Sequence, residues 1–176
     1  MKKKTIALVM SLVLIVGCML GGTVAWLTAK TDEVKNTFTV GDINITLTET
    51  TGDTYKMVPG SDITKDPKVT VKADSEACWL FIKVEKSENF DTFMTYDIAD
   101  GWTELENGVY YCQVDATTSD TEFAVLKDNK VNVKDTVTKE MLTATDFTEP
   151  TLTFTSYAVQ KDNIADVNTA WTEAQK

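Results

Sequence analysis

The sequence predicts an all-β domain, a jelly-roll-like antiparallel β-sandwich with one or two short helices, preceded by an N-terminal signal segment. Three observations carry that prediction. Residues 2–4 are lysines and residues 6–19 run without a charge, which are the basic and apolar regions of an export leader. Thr, Val and Ile recur in stretches that alternate apolar with polar residues at a period of two, as strands with one face on a core require. Short Gly, Pro, Asn and Asp clusters separate these stretches, a spacing that suits a sandwich or jelly roll and not βαβ units.

The leader comes first. Its apolar run reaches Gly21 and Gly22, and Thr23-Val24-Ala25 supplies the small residues a signal peptidase needs before its cut. Cleavage is therefore expected after Ala25, leaving Trp26 as the first mature residue. Two rivals use the same stretch. About 20 predominantly apolar residues would also span a bilayer as a retained anchor, and Ile15-Val16-Gly17-Cys18 has the order of a lipobox that would lipidate Cys18. Residues 19–27 stay largely apolar where a lipid-anchored protein usually begins a polar tether, so Cys18 reads better as a small hydrophobe within the leader. The expected organisation is a signal peptide over 1–25, an N-terminal segment over 26–40 and a β-sandwich domain over 41–176. The last two together suffice for one domain that buries about two-thirds of its chain surface.

Strand by strand, Ile43, Ile45 and Leu47 alternate with Asn44, Thr46 and Thr48, and Val69 and Val71 repeat the pattern. Leu80, Ile82 and Val84 share one face with Cys78, while Phe81 lies opposite with Lys83 and Glu85, which predicts a central strand. After the turn Glu106-Asn107-Gly108, residues 109–114 read as another interior strand. Residues 123–126 and 131–133 flank Lys127-Asp128-Asn129-Lys130 and predict a hairpin. Leu152, Phe154 and Ser156 begin a late strand that continues into Ala158-Val159. Residues 50–66, with Gly52, Pro59 and Gly60, read as a loop or a broken strand. Ile164, Val167, Trp171 and Ala174 fall at helical spacing, with Asp162 or Asn163 as the cap, and a short helix is expected near 138–144.

Charge and composition narrow the function. Residues 1–25 hold three lysines and no acid, so the remainder carries −13 against −10 for the whole chain. Such a field repels nucleic acid and anionic membranes, so neither is an expected partner and the membrane is met only through the leader before cleavage. The chain has no histidine, and all 17 basic residues are lysines. Ser-His and Cys-His nucleophiles, zinc-protease His pairs and the bidentate arginine clamp are thereby excluded. No catalytic residue, metal ligand or cofactor is assigned, and the chain is not expected to be an enzyme. Outside the leader, Cys78 and Cys112 either form a disulfide, as secreted proteins permit, or remain buried thiols.

The run Gly22-Thr23-Val24-Ala25-Trp26, followed by Asn36-Thr37-Phe38-Thr39-Val40-Gly41 and the Ile43, Ile45, Leu47 strand, resembles the N-terminus of exported proteins processed by the SipW-type signal peptidase. These are the TasA and camelysin-like biofilm and surface proteins of Gram-positive bacteria. The resemblance covers about the first fifty residues. It implies a secreted structural protein of the biofilm matrix or cell surface, with that peptidase as a partner and itself or a related matrix subunit as another. It also implies a fibre built by strand addition, in which the freed N-terminal segment pairs with a neighbour's sheet. Trp26, Leu27, Val34 and Phe38 are the candidate anchors of that assembly strand. The competing reading makes Phe38 and Ile43 the start of a strand in their own subunit. The metallopeptidase label of some camelysin-like relatives is not transferred, because a chain without histidine has no HExxH helix.

Weaker constellations complete the reading. Asp97-Ile98-Ala99-Asp100-Gly101 and the pair Asp115 and Asp120 are oxygen-rich, but neither follows a calcium-loop order, and both read as solvated loops. Glu104 and Glu106 read as strand carboxylates facing water. Trp79, Phe81, Trp102, Tyr110 and Tyr111 offer a carbohydrate-stacking platform, which makes a monomeric carbohydrate-binding or adhesive module the alternative function; their other reading is core and cross-strand packing.

Overall fold

A computed structural model of the chain describes Lys3, residues 42–52 and residues 54–176. Those from 42 onward belong to one compact unit, Val40–Lys176. Its core begins with β4, Cys78–Lys86, the longest interior strand, in which Cys78 through Ile82 are all buried. A strand that is apolar on both faces needs a cover on each. One face, carrying Cys78, Leu80, Ile82 and Val84, packs with Val69, Val71, Val114 and Val125. The other carries Trp79 and Phe81 and packs with Val109, Ala170 and Trp171.

The first cover is a three-stranded antiparallel sheet, in the order β1-β3-β8, of Ile45–Thr48, Lys68–Val71 and Thr121–Ala124. β1 and β8 alternate half-buried with exposed residues, so the period-two patterns around Ile45 and Leu47 are half-buried strands as expected. β4 itself lies in a four-stranded antiparallel sheet, order β10-β4-β7-β6, with β6 Thr103–Glu106, β7 Val109–Val114 and β10 Leu152–Gln160. The expected interior strand at 109–114 and the late strand at 152–159 both appear here. The second cover is the C-terminal helix α3, Val167–Ala174.

A third antiparallel sheet, order β2-β9-β5, joins β2 Asp62–Thr64, β5 Met94–Thr95 and β9 Lys130–Val133. It surrounds a separate cluster that includes Phe90, Phe93, Met94, Leu126, Val131 and Val133. Phe90 and Phe93 come from the single-turn helix α1, Phe90–Phe93, and α2 is the similar turn Lys139–Leu142, capped by Thr138. With its ten strands in three antiparallel sheets and a few short helices among the described residues, the fold is all-β and compatible with a sandwich.

Two expectations need correction. Residues 123–126 and 131–133 do not form a hairpin, because β8 pairs with β3 while β9 pairs with β2 and β5. The cause lies between them. Val125 and Leu126 are consecutive and both buried, in different clusters, so the chain leaves one sheet for another where period two breaks. The cap of α3 is Asp166 and neither Asp162 nor Asn163. Its carboxylate accepts from the backbone N–H groups of Asn168 at 2.9 Å and Thr169 at 3.1 Å, which also holds its pKa below the ordinary value. Asn163 instead sits in the left-handed region at φ 65°, a turn conformation that asparagine tolerates, and Ile164 packs against the helix cluster from outside the helix. The stretch 50–66, expected as a loop or a broken strand, is the latter: β2 follows a turn in which Ser61 N–H donates to the Val58 carbonyl at 3.1 Å and Gly60 takes φ 72°, the geometry that Pro59-Gly60 favours.

Candidate functional site: an open sheet edge and its adjoining pocket

β10 is nine residues long and pairs only with β4 among the described strands. Two bonds at its ends fix which of its backbone groups point inward. Ser87 N–H donates to the Thr151 carbonyl at 3.0 Å, and Lys161 N–H donates to the Ala77 carbonyl at 2.8 Å. In an antiparallel ladder the bonded positions alternate, so Thr153, Thr155, Tyr157 and Val159 bond to β4. Leu152, Phe154, Ser156, Ala158 and Gln160 direct their N–H and C=O groups to the other side, where no described strand pairs with them. At about 3.4 Å per residue this edge is roughly 30 Å long. It contains no charged residue, no proline and no break in register, the devices that normally deter pairing.

The other edges are short or covered. β8 is blocked: Trp102 Nε1–H donates to the Ala124 carbonyl at 2.8 Å, Ala99 N–H donates to the Val125 carbonyl at 2.9 Å, and Ile98 bridges to Leu126. β6 has four residues, two of them glutamates, with a register shift between Glu104 and Glu106. β1, also four residues, lies beside β10.

A cavity of about 370 Å³ opens where β10 begins. Its deepest lining is Phe90, Val131 and Met94, all buried. Met57, Phe147 and Leu152 line it as well, and all three pack against the same cluster. One wall is Lys65, whose side chain is 12 % exposed and whose ammonium bonds both oxygens of Glu49 at 2.8 and 2.9 Å. The same ammonium lies 5.1 Å from the centre of the Tyr55 ring and 5.7 Å from that of Phe154, within cation–π range. Tyr55 donates to Glu49 at 2.8 Å, and partial burial raises its pKa. With the cation already compensated, this wall offers an incoming anion little, and the interior selects for apolar or aromatic groups.

The residues singled out in the sequence are distributed as follows. Ala25 and Trp26, expected at the cleavage point, and Trp26, Leu27, Val34 and Phe38, expected in an assembly strand, lie outside the described residues. Cys78 and Cys112 are free thiols on one face of the β4–β7 pair. Cys78 stands opposite Val114 and Cys112 opposite Leu80, so the two are diagonal. Diagonal positions are about 7–8 Å apart, beyond the Cα separation of about 4.4–6.8 Å that a disulfide accepts. Burial pushes the Cys78 thiol up to about 11, and burial with the neighbouring Cys78 pushes Cys112 up to about 12.

The five aromatic residues do not make one platform. Trp79, Phe81 and Tyr111 pack on the helix side of the sheet, and Trp102 and Tyr110 on the opposite side. Phe81 lies under Trp171 with ring centres 5.2 Å apart, and Trp102 meets Phe123 edge-on. Glu106 is turned to the helix and accepts from Trp171 Nε1–H at 2.7 Å. Asp120 is taken up by the Lys72 ammonium and Ala73 N–H, each at 2.9 Å, which lower its pKa. No cluster of three metal-ligating side chains occurs among the described residues, those of the Asp97–Asp100 and Asp115–Asp120 stretches included. The pocket had no local signature, because its lining comes from residues 54–65, 90–94, Val131 and 147–152. No family model, curated protein or solved structure matches the chain.

Proposed function

We propose that this chain is an exported structural protein of the extracellular matrix or cell surface, a jelly-roll-like subunit that assembles with itself or a related subunit by strand addition. The observation that carries the proposal is the outer edge of β10, nine residues without a charge, a proline or a bulge. An extended segment laid along such an edge gains main-chain hydrogen bonds and places alternate side chains against the sheet. The basic and apolar N-terminus and its resemblance to SipW-processed proteins support export. The segment 26–40 supplies the strand.

The test compares the exported protein, a form lacking residues 26–40 and the substitution Ser156→Pro by electron microscopy and sedimentation. Ser156 directs its N–H away from β4, so proline there removes an outward donor and leaves the β4 ladder whole, as proline on an edge strand can. Assembly is expected to fall at least tenfold in both altered forms while the thermal midpoint of Ser156→Pro stays near that of the parent. Assembly that survives both changes, or a parent protein that stays monomeric at every concentration, ends the proposal.

A further inference from the structure

We infer that the cavity beside Leu152 is the anchor pocket of the strand-accepting edge, taking an aromatic side chain from segment 26–40 of a second copy. The inference rests on the strand-addition reading and goes beyond it by naming where the added strand is fixed in register.

Continuity of cavity and edge is the first argument. Thr151 and Leu152 line the cavity and lead directly into β10, and Lys65 joins the two by lying over the rings of Tyr55 and Phe154. A strand paired with the outward groups of Leu152 and Phe154 would run beside residues that line the cavity. Without an anchor its register is poorly specified, because main-chain bonds alone permit slippage along a uniform edge.

The second argument is chemical. Phe90, Met94 and Val131 form an apolar floor, and the one cation on the wall is engaged by both oxygens of Glu49. The volume lies at the lower end of the range that holds small ligands, about 300–1,000 Å³, and methionine surfaces adapt readily to an aromatic ring. Segment 26–40 contains two aromatic residues, Trp26 and Phe38.

Reach is the third. The segment has fifteen residues against nine in β10. Six remain after the edge is covered, enough for an extended bridge of roughly 20 Å back to its own domain.

The experiment places a photo-reactive benzoyl-phenylalanine at Trp26 or, separately, at Phe38 in the full exported chain. Isotopically heavy and light populations are mixed before assembly and irradiated, and the cross-links are mapped by mass spectrometry. Mixed heavy–light cross-links from one of the two positions to Met57, Met94 or Phe147 are expected. In parallel, Met57→Trp, which fills the cavity from its rim, is expected to reduce assembly at least tenfold with an unchanged thermal midpoint. Ile63→Phe, which intrudes from β2, serves in its place if Met57→Trp does not fold. The inference is overturned by cross-links confined to the pocket of the same chain. It is equally overturned by intermolecular cross-links that miss the pocket while Ser156→Pro still blocks assembly, a result that leaves strand addition standing. If Ser156→Pro assembles normally, the underlying reading fails, and the pocket assignment with it.

Discussion

The two edges of the four-stranded sheet are built on opposite principles. β6 is four residues long, carries Glu104 and Glu106, breaks register between them and ties Glu106 to the Trp171 indole. β10 is nine residues long and regular, and it carries no charge. Both hang from the same central pair, β4 and β7, so strand propensity and core packing do not account for the difference. One edge carries charges and a register break, features by which proteins prevent sheet-to-sheet pairing, and the other has no charge, proline or bulge. A regular edge of this length, unpaired among the described residues, is a liability in a protein that stays alone and an asset in one that assembles.

β4 and β7 link the two edges, and the largest expected effect loosens that link. Phe81 is fully buried between β4 and α3, in contact with Tyr111 and Trp171. Phe81→Ala should cost about 3–5 kcal/mol, read as a lowered midpoint in urea, with both edges loosened together. A loss under 1 kcal/mol would mean that the helix side of the sheet contributes little to holding either edge.

A smaller effect is confined to the protected side. Gly108 closes the turn between β6 and β7 at φ 77°, and a Cβ there would stand 2.6 Å from the Val84 carbonyl oxygen. That oxygen belongs to the backbone and cannot step aside as a side chain would. Gly108→Ala should destabilise by about 1–3 kcal/mol, and amide exchange should rise in β6 and β7 before it rises in β10. Equal loosening of β10 would show that the two edges are not independent.

Smaller again is the link between β6 and the helix. Trp171→Phe keeps the aromatic contacts with Phe81 and Tyr157 and removes the donor to Glu106. About 1 kcal/mol is expected, and assembly should be unchanged because β10 is untouched. A loss of assembly would relocate the interface to the β6 side.

The mildest effect concerns the loop beside the pocket. Asp66 accepts from Thr50 Oγ1 at 2.5 Å and from the N–H groups of Thr50 and Thr51 at 2.9 and 3.1 Å, and these bonds, led by the Thr50 hydroxyl, hold its pKa well below the carboxylate range. A depressed folded-state value stabilises fully above the unfolded value of about 3.9 and is lost as pH falls from there through the folded value. Amide exchange at Thr50 and Thr51, corrected for its intrinsic pH dependence, should therefore accelerate below about pH 4 and stay flat from pH 5 to 7. Acceleration between pH 5 and 7 would contradict the assigned partners.

Much of this architecture was readable residue by residue. The alternation at Ile45, Leu47, Val69 and Val71, the continuous apolar run of β4, the late strand at Leu152 and the helical spacing of Val167 and Trp171 are local patterns, and each element formed where its pattern stood. The hairpin expected around Lys127–Lys130 failed because two adjacent buried residues, Val125 and Leu126, serve two different clusters, and a window of a few residues does not say which core each one enters. Alternation alone put Phe81 on the face of Lys83 and Glu85, in a strand expected to be central. Phe81 is buried because a helix ninety residues later lies over it.

By itself the sequence determined what depends on neighbours in the chain: the basic and apolar runs at its start, the absence of imidazole and guanidinium, the acidic charge, and the period that makes each stretch a strand or a helix. Which strand meets which, which edge is left unpaired among the described strands and where a cavity opens were decided only in three dimensions. Strand order, edge exposure and cavity shape arise from contacts between segments dozens of residues apart, and no single segment encodes the partner that covers it or the space it leaves.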